Sequence, residues 1–342
     1  MMPAQSNRSQ DRRKPNAGSE DRGRVAQTPS QIPPRGWRDV LLRVFHGISE
    51  DRITTMSAGV TFFVLLAVFP GLAGLISLYG LFADPGAIGQ HLDRLAGILP
   101  EGGMQILRDQ LQQLTSQPPQ RLGLATVASL AVSLWSANGG IKAVFEGLNS
   151  VYEEREKRGF IKLNAVSLAF TLGALTFVIA SLLTLTALPQ LLSFLGLPGL
   201  GLIVDYARWP ALLAAASLVI AITYRFGPSR DQPQWRWISP GSIFAVIVWI
   251  AASVLFSWYT SHFGNYNKTY GSLGAAVGFM TWIWISTMVI LVGAKINAEL
   301  EHQTKVDTTT GAPDAKGKRG ARMADTLGRT PEASSPLSNS SR

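Results

Sequence analysis

The chain has 342 residues, with 31 Lys and Arg against 22 Asp and Glu, a net charge of +9, and no cysteine. Only 15% of its residues are charged, against about 25% in a soluble domain, and the charges crowd into clusters that leave long stretches empty. That balance excludes disulfide frameworks, cysteine-ligated zinc, iron–sulfur clusters and thiol catalysis, and it argues against both a soluble domain and a nucleic-acid binder.

Residues 1–34 are rich in Arg, Ser, Gln, Gly and Pro, with Ile32 nearly the only large aliphatic. Such a segment buries too little apolar surface to offset its ordering entropy, so a disordered tail is expected. Trp37, Val40, Leu41, Val44, Phe45 and Ile48 then recur at i, i+3, i+4, i+7, i+8 and i+11. This is one face of a helix, expected to lie on the membrane surface.

Beyond Arg52 the apolar runs begin. A bilayer core of about 30 Å needs about 20 helical residues. Six such runs occur, and the spacing predicts spans at about 55–83, 122–141, 163–187, 206–226, 239–260 and 272–296. The loop 84–121 carries two short apolar patterns, read as extracytoplasmic helices. Residues 304–342 repeat the composition of the N-terminal tail and are expected to be disordered. Arg35, Arg38, Arg43 and Arg52, the run from Lys142 to Lys162, Arg225, Arg230 and Arg236, and Lys295 and Lys305 fall on one side. The richer side is expected to be cytoplasmic, which puts both termini inside.

Several positions invite a functional reading. Pro70-Gly71 interrupts the first span, where a proline frees the carbonyl four residues back; this is either a packing kink or the lining of a path. Asn138-Gly139-Gly140 near the end of span two either opens the backbone to a ligand or lets the helix bend. Gly274 and Gly278 form G-x-x-x-G, a helix-packing signal. Lys295, with Glu299 at i+4, reads as an interfacial anchor or an ion site. Asp205 and Arg208 are expected to pair, and 153–158 to be a solvated charge run. Between Trp258 and Ser272 the chain reads WYTSHFGNYNKTYGS. Asn265 and Tyr270 there suit an outer recognition loop or an aromatic belt. His46, His91, His262 and His302 lack metal-ligand spacing, and no nucleophile elbow or Walker sequence occurs. No enzyme, cofactor or metal is expected.

Three stretches resemble the YihY/BrkB family of inner-membrane proteins. They are SAGVTFFVLLAVFPGLAGLISLYGLF at 57–82, LWSANGGIKAVFEGLNSVYEEREKRGFIK at 134–162, and the segment 256–300 with its NYNKTYGSLGA core and GAKINAEL end. The resemblance implies a six-span bacterial inner-membrane protein. The family is linked to serum resistance, is described as transporter-like, and once carried the label ribonuclease BN, which the absence of clustered His and Asp ligands makes unsuitable here. It supplies no catalytic residues. Its motif positions Pro70, Asn149, Tyr152, Tyr270, Gly271 and Asn297 are candidates for a path or gate.

The expected architecture is therefore all-α, a polytopic membrane bundle of six transmembrane helices over 35–303 with short amphipathic interfacial helices. The expected function is a permease for a small solute or lipid component. The alternative is a non-transporting scaffold for envelope assembly. Expected partners are membrane lipids and that solute or lipid substrate, without nucleic acid.

Overall fold

The computed structural model describes residues 22–79, 124–194, 198–263 and 272–329, with a few isolated positions between 104 and 112. The loop 84–121 and its two expected helices otherwise lie outside the described residues. Eight α-helices are present among those described: α1 (Pro34–Glu50), α2 (Ile53–Tyr79), α3 (Leu124–Val151), α4 (Phe160–Phe194), α5 (Pro198–Phe226), α6 (Trp235–Phe263), α7 (Ser272–Gln303) and α8 (Arg322–Asp325). A 3-10 turn at Pro29–Gln31 precedes them.

Five stretches are long and apolar enough to cross a membrane: Ile53–Gly74, Phe160–Ser181, Tyr206–Phe226, Trp235–Thr260 and Ala276–Gln303. In the first three only 17% of the residues are buried. Phe62, Phe63, Leu66 and Phe69 on α2, and Ile243, Ile247, Val254 and Leu255 on α6, stand exposed. In water each would forgo about 1.5–3 kcal/mol of burial; lipid is the solvent that suits them. The 28 residues of α3 include Lys142 and Glu146 near the end that carries the basic loops. Pro70 sits inside α2 without ending it, and α3 runs unbroken through Asn138-Gly139-Gly140.

The long helices pack as a ring in chain order. Each of α2 to α7 touches its successor, and α7 closes back onto α2. A helix of 32 residues is about 48 Å long at 1.5 Å per residue, so the last turns of α7 reach past a ~30 Å core. These turns meet a compact cap, made from α1, the α3–α4 and α5–α6 connections and both polar arms. The described parts of the arms, 22–34 and 304–329, are packed here, whereas disorder was expected of them. Lys305 N donates to Arg24 O at 2.8 Å, Thr304 Oγ1 to Ala26 O at 2.7 Å, and Gln234 N to Thr308 O at 2.9 Å. Composition averaged over these arms hides the few apolar residues that anchor them. Ile32 packs with Val40, Val44, Trp237 and Leu300, and Met323 joins the main core.

Helix α1 also differs in part from its expected face. It buries Val40 and Val44 against the cap core but leaves Leu41 and Phe45 exposed, so its apolar stripe is divided between protein and surroundings.

In α3, α4 and α5 full burial is confined to the capped end, whereas α2, α6 and α7 also bury Gly74, Ser253, Phe279 and Ile283 farther from it. In α3 no described residue from 128 to 136 is buried, whereas Ala137, Asn138, Gly140, Ala143, Phe145, Leu148 and Val151 are. In α5 nothing described before Ala221 is buried, and in α4 nothing described after Thr171. One core cluster fills the capped end, joining Ile53, Leu148, Tyr152, Tyr224, Ile238, Ala245, Leu291 and Ala294 from five of the ring helices and the α3–α4 turn. Toward the other end α5 exposes Trp209, Pro210 and Ala211 and keeps a half-buried stripe, Arg208, Leu212, Ala215, Ala216 and Val219, at i, i+4, i+7, i+8 and i+11. Among the described residues the ring is packed most fully at the capped end.

Candidate functional site

The capped end holds most of the charge buried among the described residues. Three small networks fasten the last turns of α7 to the cap. In the first, the Arg230 guanidinium meets the Glu301 carboxylate in two bonds of 3.0 and 2.7 Å. Both side chains are 0% exposed. Thr308 Oγ1 donates to Glu301 at 3.0 Å, and Arg230 lies over the Tyr152 ring at 4.1 Å. Burial alone would lower Arg230, but Glu301 outweighs it and holds the guanidinium charged. Burial pushes the Tyr152 phenol well up, against the opposing pull of Arg230, so it stays neutral.

In the second, Lys295 Nζ sits 2.8 Å from Asp51 and 3.1 Å from Glu299, and Arg43 Nε donates to Glu299 at 2.6 Å. Arg43 also reaches the Gln303 side chain at 2.8 Å. This network lines a cleft of about 730 Å³ between α1, the end of α7 and the C-terminal arm. In the third, Asn297, 0% exposed, accepts from Gly241 N at 2.8 Å and donates to Ile238 O at 3.1 Å. Pro240 brings no N–H to the first turns of α6 and crowds the carbonyl behind it. Asn297 satisfies backbone groups on both sides of that break.

Asn149 ties two connections together. It accepts from Ser229 N at 2.7 Å and donates to Glu156 at 3.1 Å. The charge run 153–158 is thus only partly solvated, which corrects the expectation. Arg158 grips Glu156 and the carbonyls of Phe226 and Gly227. Burial would raise the Glu156 carboxyl, but the hydrogen bonds and charge of Arg158, with Asn149, together bring it down to about 2.

Asn138 lies apart, at the border between the buried and exposed parts of the ring. Its Oδ1 accepts from Thr171 Oγ1 at 3.4 Å, and both residues are buried. Its Nδ2 has no partner among the described residues, at a typical cost of about 1–3 kcal/mol. Thr171 is the last buried residue described on α4.

The structure thus brings Asn149, Tyr152, Lys295 and Asn297 to one end and leaves Asn138 deeper in the ring. Pro70 is half-buried. Gly140 is a packing position, since an added Cβ would lie 2.9 Å from Ala67 Cβ, whereas Gly139 faces open space. Gly278, expected to pack, also meets nothing within 4 Å. Asn265, Tyr270, Gly271 and the Asp205 side chain lie outside the described residues.

The close helix crossing is instead at Gly241 of α6 and Gly293 of α7. A Cβ on Gly241 would clash with Gly293 O and the Asn297 amide. One on Gly293 would meet the Tyr224 hydroxyl at 2.5 Å and Ala245 Cβ at 3.0 Å. Tyr224 uses that space to donate to Ile290 O at 2.7 Å. Sequence reasoning also missed Arg230, Glu301 and Arg43. The available signal was the i, i+4 placement of Asn297 and Glu301, which puts a second polar pair on the helix beside Lys295 and Glu299. Among the described residues no three His, Asp or Glu side chains form a metal-holding group.

Long apolar helices with lipid-facing exteriors and a polar cap at one end define a multi-pass membrane protein. The family profile of Virulence factor BrkB matches residues 44–318, and the chain belongs to that family. A Bacillus subtilis protein named ribonuclease-like protein YfkH is 32% identical over 255 residues, covering 73% of this chain and 90% of its own length. UPF0761 membrane proteins of Methylibium petroleiphilum and Idiomarina loihiensis are each 25% identical, over 81% and 60% of this chain. The matches span 66% and 70% of those two relatives. No solved structure matches.

Proposed function

We propose that the protein is a non-enzymatic permease of the bacterial inner membrane, crossing it six times with both termini in the cytoplasm, and passing a small solute or lipid component through the helix ring. The observation that carries this reading is the polarised burial. In α3, α4 and α5 full burial is confined to the basic end, ending at Ala137, Thr171 and Ala221 among the described residues, and only partial burial continues toward the other end. We read this as a path closed at the capped end. Basic loops mark the closed end as cytoplasmic, and α3 supplies the sixth span. Asn138 and Thr171 stand at the throat, where a buried donor without a partner suits a polar ligand. Intramembrane polar groups are functional by default. α1, with Leu41 and Phe45 outward, lies at the interface in this arrangement.

Proteoliposomes carrying the full chain test it. After a hyperosmotic pulse of glycerol, glycine betaine or glutamate, light scattering will show at least one solute entering faster than into empty liposomes. Asn138→Leu will change that rate several-fold at equal protein incorporation. Entry no faster than in empty liposomes for all three solutes, in folded protein, would favour the scaffold reading, in which the cap and its clefts are docking surfaces.

A further inference from the structure

The capped end carries a second cleft, of about 510 Å³, between the start of α4 and the end of α5. Five cations line it: Lys157, Arg158, Lys162, Arg225 and Arg230. Three of them are matched, Lys157 by Glu154, Arg158 by Glu156 and Arg230 by Glu301. Two are not. Arg225 is 9% exposed; it donates to Pro233 O and lies over the Trp235 ring at 4.7 Å, but no carboxylate pairs with it among the described residues. Its Nε is buried without a hydrogen-bond partner. Lys162 is exposed on the opposite wall and has no ion-pair partner among the described residues. Asp231 is the acidic residue on the lining.

A buried cation with neutral partners is costly to keep unless an anion reaches it. The guanidinium fork suits phosphate oxygens, and the first N–H groups of the 35-residue α4 open beside the same cleft. The rim identifies the source of the phosphate. Phe160 is 73% exposed, Ile161 83% and Trp235 45%, and Phe226 lines the cleft itself. A soluble anion would leave these apolar side chains in water. Acyl chains would cover them.

We propose that this cleft binds the phosphate headgroup of an anionic phospholipid from the leaflet that surrounds the capped end. Arg225 is the buried contact, Lys162 the outer one, and Phe160 and Ile161 border the first acyl carbons. The assignment requires only a membrane protein and does not depend on transport.

Native mass spectrometry of the purified full chain in detergent tests it. Phosphatidylglycerol will stay bound at least tenfold more than phosphatidylcholine of the same chains. Lys162→Gln will weaken phosphatidylglycerol about fivefold, as expected for one basic residue near an anionic surface. Adding Arg225→Gln will weaken it about fivefold again. Glycerol 3-phosphate at equimolar concentration will not displace the lipid. Equal retention of the two lipids, or unchanged retention by the double variant, overturns the proposal. Displacement by equimolar glycerol 3-phosphate overturns the lipid as the source. Where Arg225→Gln lowers the yield of folded protein, Lys162→Glu carries the test at an exposed position, with retained lipid counting against the site.

Discussion

Replacing Glu301 by leucine will destabilise the protein by about 3–5 kcal/mol, because it strands the Arg230 guanidinium in a site with no access to solvent. Replacing both partners, as Arg230→Met with Glu301→Leu, will cost much less than either single change. The pair is fully desolvated, so its attraction mainly offsets the loss of hydration, and a shape-matched apolar pair carries neither charge. Thr308 would lose one acceptor in either case, which leaves the double variant somewhat below wild type. The check is the thermal midpoint of detergent-purified protein, read by size-exclusion fluorescence. A double variant as unstable as the sum of the singles would show that the two side chains do not couple, and would contradict this account.

The second large effect is steric. Gly241→Ala and Gly293→Ala will each lower stability by at least about 1–3 kcal/mol, the range for overpacking a filled core. The methyl at 241 meets backbone at Gly293 and the Asn297 amide that bridges the Pro240 break. Neither is the far end of a flexible side chain, so relief requires α6 and α7 to separate. Gly278→Ala, in the same helix as Gly293, will change the midpoint little, since the added methyl meets nothing within 4 Å. The same thermal assay separates the three. A Gly278 variant as damaging as the Gly293 variant would mean that the G-x-x-x-G strip is covered by a second chain.

These two glycine sites show where sequence reading stops. A span announces itself in one dimension, because lipid demands about 20 apolar residues in a row. The helices Ile53–Tyr79, Pro198–Phe226 and Ser272–Gln303 accordingly contain or closely follow their expected spans. Helix–helix register is not written in one segment. Gly241 and Gly293 belong to different helices and form no motif together, whereas Gly278, half of the G-x-x-x-G motif, meets nothing within 4 Å. Asn297 and Lys295 were legible as polar residues close behind an apolar run. Their partners, Asp51 for Lys295 and the Ile238 and Gly241 backbone for Asn297, come from other elements, and only the fold brings them within reach. The arms misled for a related reason. Their composition is that of a disordered chain, yet Ile32 and Met323 each occupy a core cluster, and the backbone groups around them pair with one another.

The central claim is a helix ring closed toward the cytoplasm and open to water on the other side. Having no cysteine, the chain permits single cysteines to be placed one at a time and labelled with a membrane-impermeant maleimide. The account predicts that Arg155→Cys reacts only after the cytoplasmic face is exposed, and that Ala245→Cys and Leu291→Cys react from neither side. In a scan of residues 209–213 at least one position will react from the outside, and its neighbours on the lipid face will not. Labelling of Arg155→Cys in intact cells, or a scan in which every position from 209 to 213 stays unreactive in folded protein, would contradict it.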